Sequence, residues 1–219
     1  AMSKTFTRIG KDLSMAVKEG GPNPETNARL RAVIQNAKAA NMPKDNVERA
    51  IKKASEKDSA HYKEVLFEGY GPHGIAFLVE TATDNNNRTV ANVRAAFNKC
   101  NGALGTSGSV VFMFDHTCNF RVKKEDLKMD LEEFELELID FEVEEIFEDE
   151  DGILIYAPFE KFGAIQKFLE DSNMEILSSG FERIPTTLKK LNEAEQEEVR
   201  EQQHEEGNPE QVDGQATVD

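Results

Sequence analysis

The stretch FEGYGPHGIAFLVETATDNNNRTVANVRAAF, residues 67–97, decides between two fold classes. Gly69-Tyr70-Gly71-Pro72-His73-Gly74 formally matches GxGxxG, which cradles a pyrophosphate when a strand precedes it and a helix follows. The continuation IAFLVE is instead apolar and rich in strand formers, and Pro72 suits a turn. The glycines therefore join two strands of a hairpin. A helix comes only later, over about Arg88–Asn98, with Val90, Val93, Ala96 and Phe97 as its buried face. Just before it stands a polar cluster. One Asp or Asn suffices to accept an orphan N–H at a helix start, and this stretch supplies Asp84, Asn85, Asn86 and Asn87. That surplus, with Arg88 and Arg94, marks a candidate surface for an anion or an acidic partner at the positive end of the helix dipole. Arg94 lies six positions beyond Arg88, so only a broad ligand could use both. A metal site from Glu80, Asp84 and Asn85 lacks a full oxygen cage, and no metal or cofactor is expected.

Upstream, residues 1–61 read as a basic helical domain of three short helices. In SKTFTRIGKDLSMAVKEGG, Phe6, Ile9, Leu13 and Val17 gather on one side, and Lys4, Arg8, Lys11 and Lys18 on nearly the opposite side. Asn23 is expected to cap a second helix with Pro24 at its first position, and Leu30, Val33, Ile34 and Ala37 keep helical spacing. Pro43 opens a third helix, with Val47, Ala50, Ile51 and Ala54 inward and Lys44, Arg49, Lys52 and Lys53 outward. These eight cations are the candidate nucleic-acid-binding residues. They would contact phosphates, giving salt-sensitive affinity with little base discrimination.

Downstream, a glycine-rich turn, NGALGTSGS, leads into the strand VVFMFD, so that residues 64–115 supply strand, strand, helix, strand and look unfinished. Residues 118–184 then run strand, helix, strand, DEDG turn, strand, helix, strand, which is the ferredoxin-like βαββαβ order. Pro158 is expected at the first position of the second of these helices. The fold class is thus α+β. An acidic ferredoxin-like domain over residues 117–179 would be inserted in a central α+β domain made of residues 62–116 and about 180–204. A polar helix is expected near Glu193–Gln203, and residues 205–219 read as a disordered acidic tail.

The net charge of −16 conceals a gradient. Residues 1–61 carry 12 Lys and Arg against 7 Asp and Glu, residues 62–116 carry 4 against 5, and residues 117–219 carry 10 against 30. The basic end can approach a polyanion while the acidic end faces away or meets a basic protein. No run of 18 apolar residues and no secretory signal is present, so the expected place is the cytoplasm and no membrane partner is expected. Cys100 and Cys118 have no CxxC spacing and read as reduced thiols. Four scattered histidines, without a nucleophile elbow, HExxH or Walker sequence, give no support to an enzyme.

Two long blocks, GGPNPETNARLRAVIQNAKAANMPKDNVERAIKKA and FEGYGPHGIAFLVETATDNNNRTVANVRAAFNKCNGALGTSGSVVFMFD, with FERIPTT more loosely, resemble the YebC/PmpR family of probable transcriptional regulatory proteins. The resemblance implies a helical N-terminal domain and a third domain inserted in the second. It also implies a DNA-binding transcriptional regulator that is not an enzyme. A member that is a mitochondrial translational activator implies the alternative, a ribosome-associated helper binding ribosomal RNA and ribosomal proteins. The C-terminal EGNPEQVDGQATVD departs from the family's usual closing strand, so the central sheet is expected to lack or replace that strand.

Overall fold

A computed structural model describes residues 2–206, with side chains from Lys4 to His204. Helix α1, Met2–Gly20, buries Ile9, Leu13, Ala16 and Val17 against Leu30 and Ala37 of α2, Ala28–Ala39, and Val47 and Ala54 of α3, Lys44–Ala54. Gly21 ends α1 at φ +86°, its N–H bonding Val17 O at 2.8 Å. The expected role of Asn23 is corrected. It caps only a single 3₁₀ turn, Pro24–Thr26, while the cap of α2 is Asn27. Asn27 is 5% exposed and works at two helix ends at once. Its Oδ1 accepts the Leu30 N–H at 2.9 Å, and its Nδ2 donates to Ala16 O and Gly21 O at 2.8 Å each. A Cβ on Gly20 would meet the Asn27 side chain at 2.7 Å, so the close approach requires glycine there.

Strands β1, Lys63–Tyr70, and β2, Ala76–Thr83, form the expected hairpin, antiparallel from Lys63↔Thr83 to Tyr70↔Ala76. Helix α4, Asn86–Lys99, packs Val93 and Phe97 on Phe67, Phe77 and Val79. The third strand, β3, is only Ala103–Leu104, paired to the end of β1. The strand expected at VVFMFD is not part of this sheet. Val111–Met113 is a 3₁₀ turn, and β4, Phe114–Val122, belongs to a second sheet. The cause is Glu68, 3% exposed, whose carboxylate accepts the N–H groups of Gly108, Val110 and Val111 at 2.6, 2.9 and 2.8 Å. Those amides are committed to a side chain and cannot enter a ladder.

The second sheet contains β4, β5 (Glu145–Asp149), β6 (Gly152–Pro158) and β7 (Ile176–Pro185) in the order β5-β6-β4-β7, every pair antiparallel. With α5, Leu131–Leu138, and α6, Phe162–Asp171, this is the ferredoxin-like arrangement. Phe120, Phe134, Leu138, Ile153, Ile155, Ile165 and Leu169 form its core. Pro158 ends β6, and a 3₁₀ turn, Phe159–Lys161, separates it from α6, so it does not open that helix. The final helix, α7, Glu193–Glu206, returns to the central sheet, where Val199 is buried in the cluster of Phe67, Phe77 and Phe97. The expectation that the sheet lacks or replaces the family's closing strand falls on EGNPEQVDGQATVD, which beyond Glu206 lies outside the described residues. Residues 207–219, most of the expected tail, lie outside the described residues, and Glu205 and Glu206 are helical.

The helical unit is tied to the second sheet. Strand β7 is an edge, and the Asn36 side chain serves it as a substitute strand: Nδ2 donates to Ser179 O at 2.7 Å and Oδ1 accepts Ser179 N–H at 2.8 Å. Arg31 forms a two-pronged pair with Glu170 at 2.8 and 2.9 Å, and Lys38 meets Glu175 at 3.1 Å.

Candidate nucleic-acid interface

The basic stripe of α1 and the TDNNNR cluster, far apart in the chain, meet at one junction. Helix α1 passes β2, and Lys11 Nζ donates to Ala82 O at 3.1 Å while standing 5.4 Å from the Tyr62 ring centroid. Lys11 is therefore half-buried against the hairpin rather than on a solvated face, a correction that a helix pattern alone cannot supply. Burial, then the Arg8 charge, hold its ammonium below the ordinary lysine value; Arg88 acts the same way, and Asp84 and Asp12 oppose them. Arg8 pairs with Asp12 at 3.3 Å. Burial, chiefly, raises the Asp12 carboxyl, against the pull of Arg8.

Within TDNNNR each residue has a distinct place. Asn85 is the cap of α4, accepting Arg88 N–H at 3.0 Å, and its own N–H donates to Thr83 Oγ1 at 3.0 Å. Thr89 Oγ1 donates to Thr83 Oγ1 at 2.7 Å, locking the strand end to the helix start. Asp84 holds the Arg88 guanidinium at 2.6 Å. Asn86 and Asn87 are exposed in the first turn of α4. Each residue weighed for a metal has a role within the fold: Asp84 and Asn85 as described, and Glu80 through Oε1, which Arg183 of β7 meets at 3.2 Å. Arg94 is exposed farther along α4, about 120° round the axis from Arg88.

The remaining candidates spread over the helical unit. Lys4 is exposed near the start of α1, and Lys18 Nζ donates to Glu56 O at 3.3 Å. On α3, Lys44 meets Glu48 at 3.6 Å, Arg49 bonds Asp45 O at 3.2 Å and Asn46 Oδ1, and Lys52 and Lys53 are exposed in the last turn. Sequence reasoning passed over Arg29, which pairs with Glu19 at 2.6 Å and with Glu64 of β1 at 2.8 Å, joining the helical unit to the central sheet. The available signal was that Arg29 and Arg31 flank the buried Leu30, placing a cation on either side of the core face. The junction thus presents Arg8, Lys11 and Arg88 with their counter-charges Asp12 and Asp84, a surface that can exchange internal ion pairs for external phosphates. Among the described residues no helix is long and apolar enough to cross a membrane.

Comparison with known proteins matches residues 1–57 to the TACO1/YebC protein N-terminal domain and residues 62–205 to the TACO1/YebC second and third domain. A "Probable transcriptional regulatory protein" of Flavobacterium johnsoniae is 75% identical over 195 residues, covering 89% of this chain and 81% of the relative. A protein of the same description from Parabacteroides distasonis is 58% identical over 199 residues, covering 90% and 81%. The crystal structure of a conserved hypothetical protein from Aquifex aeolicus superposes with a TM-score of 0.75 at 33% identity, over 96% of this chain and 86% of that one. By both its sequence and its architecture, the chain belongs to the TACO1/YebC family.

Proposed function

We propose that the protein regulates gene expression by binding nucleic acid through the basic side of its helical unit. It acts as a DNA-binding transcriptional regulator in the cytoplasm, not as an enzyme. The observation that carries this reading is the convergence of Arg8, Lys11 and Arg88 at the α1–β2–α4 junction, with Lys44, Arg49, Lys52 and Lys53 extending a cationic surface along α3. The description of the relatives as probable transcriptional regulatory proteins supports it. Side chains spaced over three helices suit phosphate contacts, which position a partner on a duplex without reading bases.

The test is fluorescence anisotropy of labelled duplex DNA and of an RNA hairpin over a salt series, with Arg8→Ala, Arg88→Ala and Lys52→Ala/Lys53→Ala. Each lost phosphate contact lowers the slope of log K against log salt by about 1. Slopes unaltered by all three variants would discard the interface. A second reading, a ribosome-associated translation helper using ribosomal RNA and ribosomal proteins, is favoured by the placement of Arg88 and Arg94 about 120° apart round α4, which suits a broad surface. Co-sedimentation of the native protein with ribosomes, lost after RNase, selects it over promoter DNA.

A further inference from the structure

The other end of the charge gradient has its own geometry. Residues 125–151 hold 15 Asp and Glu against the single cation Lys128. Within them α5 turns Phe134 and Leu138 into the core and leaves its outer face to water. On that face Leu136 is 67% exposed and Ile139, just past the helix end, 61% exposed, among the largest apolar exposures in the protein. They are three positions apart and so adjacent on the surface. By the same spacing Glu132 and Asp140 flank Leu136 and Glu135 flanks Ile139.

Some neighbouring acids of the same unit are neutralised within the molecule. Glu142, Glu148 and Asp149 meet Lys161, Lys124 and Arg121 at 3.0, 2.6 and 2.5 Å. No Lys or Arg of the described residues stands within ion-pair distance of Glu132, Glu133, Glu135, Glu137 or Asp140. A helix that keeps two large apolar side chains in water among unneutralised carboxylates has a surface shaped for something outside the molecule. The charge rules out a polyanion. The apolar pair rules out a bare cation, and among the described residues no group of three or more acids is placed to hold a metal.

We propose that the outer face of α5 docks a basic amphipathic polypeptide segment, its apolar stripe seated on Leu136 and Ile139 and its Lys and Arg side chains on Glu132, Glu135 and Asp140. Charge complementarity brings the segment in, and the two apolar residues fix where it sits. The surface uses none of the side chains assigned to nucleic acid, so the protein can hold a basic protein and a polyanion at once.

The experiment uses the whole chain and two synthetic peptides of equal length and charge, an amphipathic Lys/Leu helix and the same sequence with Ser for Leu. The sequence contains no Trp, so L136W places a single reporter in the site. The expected result is a blue shift of its emission with the Lys/Leu peptide, at about 0.15 M salt, and at least tenfold weaker binding of the Lys/Ser peptide. In the wild-type background, L136S/I139S abolishes that preference with the melting temperature and DNA binding unchanged. Equal affinity for both peptides, or a preference that survives L136S/I139S, overturns the proposal. So does concentration-dependent self-association that L136S/I139S removes, since the occupant would then be a second copy of the chain.

Discussion

The helical unit and the ferredoxin-like unit are both strongly charged, yet they spend their charges differently. Of the cations in α1 and α2, Arg8, Arg29, Arg31 and Lys38 close onto carboxylates of the same molecule, and Lys11 and Lys18 onto backbone carbonyls. The acids on the outer face of α5 have no such partners among the described residues. A basic count therefore measures internal joints as much as available surface. Among the described residues of the helical unit, Lys52, Lys53 and Lys57 have no side-chain partner, whereas the unpartnered acids of α5 line one helical face.

The largest expected effect tests whether the helical unit stands on polar joints. Asn27→Ala removes three hydrogen bonds, two of them fully buried, and leaves the Leu30 N–H without its cap, costing about 2–4 kcal/mol in a urea melt. Asn27→Asp should not rescue it, because a carboxylate cannot donate to Ala16 O and Gly21 O. A loss below about 1 kcal/mol would mean that apolar packing alone holds α1 to α2.

Next comes Glu68. Burial pushes its carboxyl up, but the N–H groups of Val110, Gly108 and Val111, aided by Arg183, outweigh this and hold it below the ordinary value. A depressed carboxyl stabilises the fold above its unfolded pKa, and that contribution fades as pH falls through the folded one. The melting difference between wild type and Glu68→Gln should therefore be full at neutral pH and shrink under acid. A difference that is constant with pH would separate the loop anchor from ionisation.

A double-mutant cycle on Arg31 and Glu170 probes the joint between the two units and should give a coupling of about 1 kcal/mol, reduced by salt. The smallest expected effect is Arg88→Ala, under about 0.5 kcal/mol in stability because the pair with Asp84 is exposed, with DNA affinity falling several-fold. A melting loss as large as that of Asn27→Ala would make TDNNNR a structural clasp instead of a binding surface.

Much of the architecture is local and could be read from the chain. The hairpin follows from IAFLVE after the glycines, and the ferredoxin-like order follows from alternating helix and strand periods. Apart from Pro158, where a single 3₁₀ turn intervenes before the helix, the failures are long-range. That VVFMFD breaks at a 3₁₀ turn, with only Phe114 and Asp115 joining FRV in a strand of the other sheet, depends on Glu68, some 40 residues upstream, and no local pattern contains it. Asn23-Pro24 is a stronger local start signal than Asn27, but Asn27 is set by the end of α1, which only packing brings near. A helix wheel placed Lys11 opposite the core correctly, and could not know that β2 lies there. The candidate site was legible as two separate clusters, and their meeting was not.

The Glu68 clasp also orders events in time. The crossing from one sheet to the other is held by a carboxylate about 40 residues back along the chain, so the segment near Val110 and Val111 cannot settle until β1 is in place. Closing so long a loop is entropically costly and slow compared with forming the hairpin or the helices. The ferredoxin-like sheet, whose βαββ stretch lies within a single run of chain, is free to assemble on its own. Refolding should thus proceed from two separately formed halves, with capture of the Gly108–Val111 amides as the late step that fixes their relative placement.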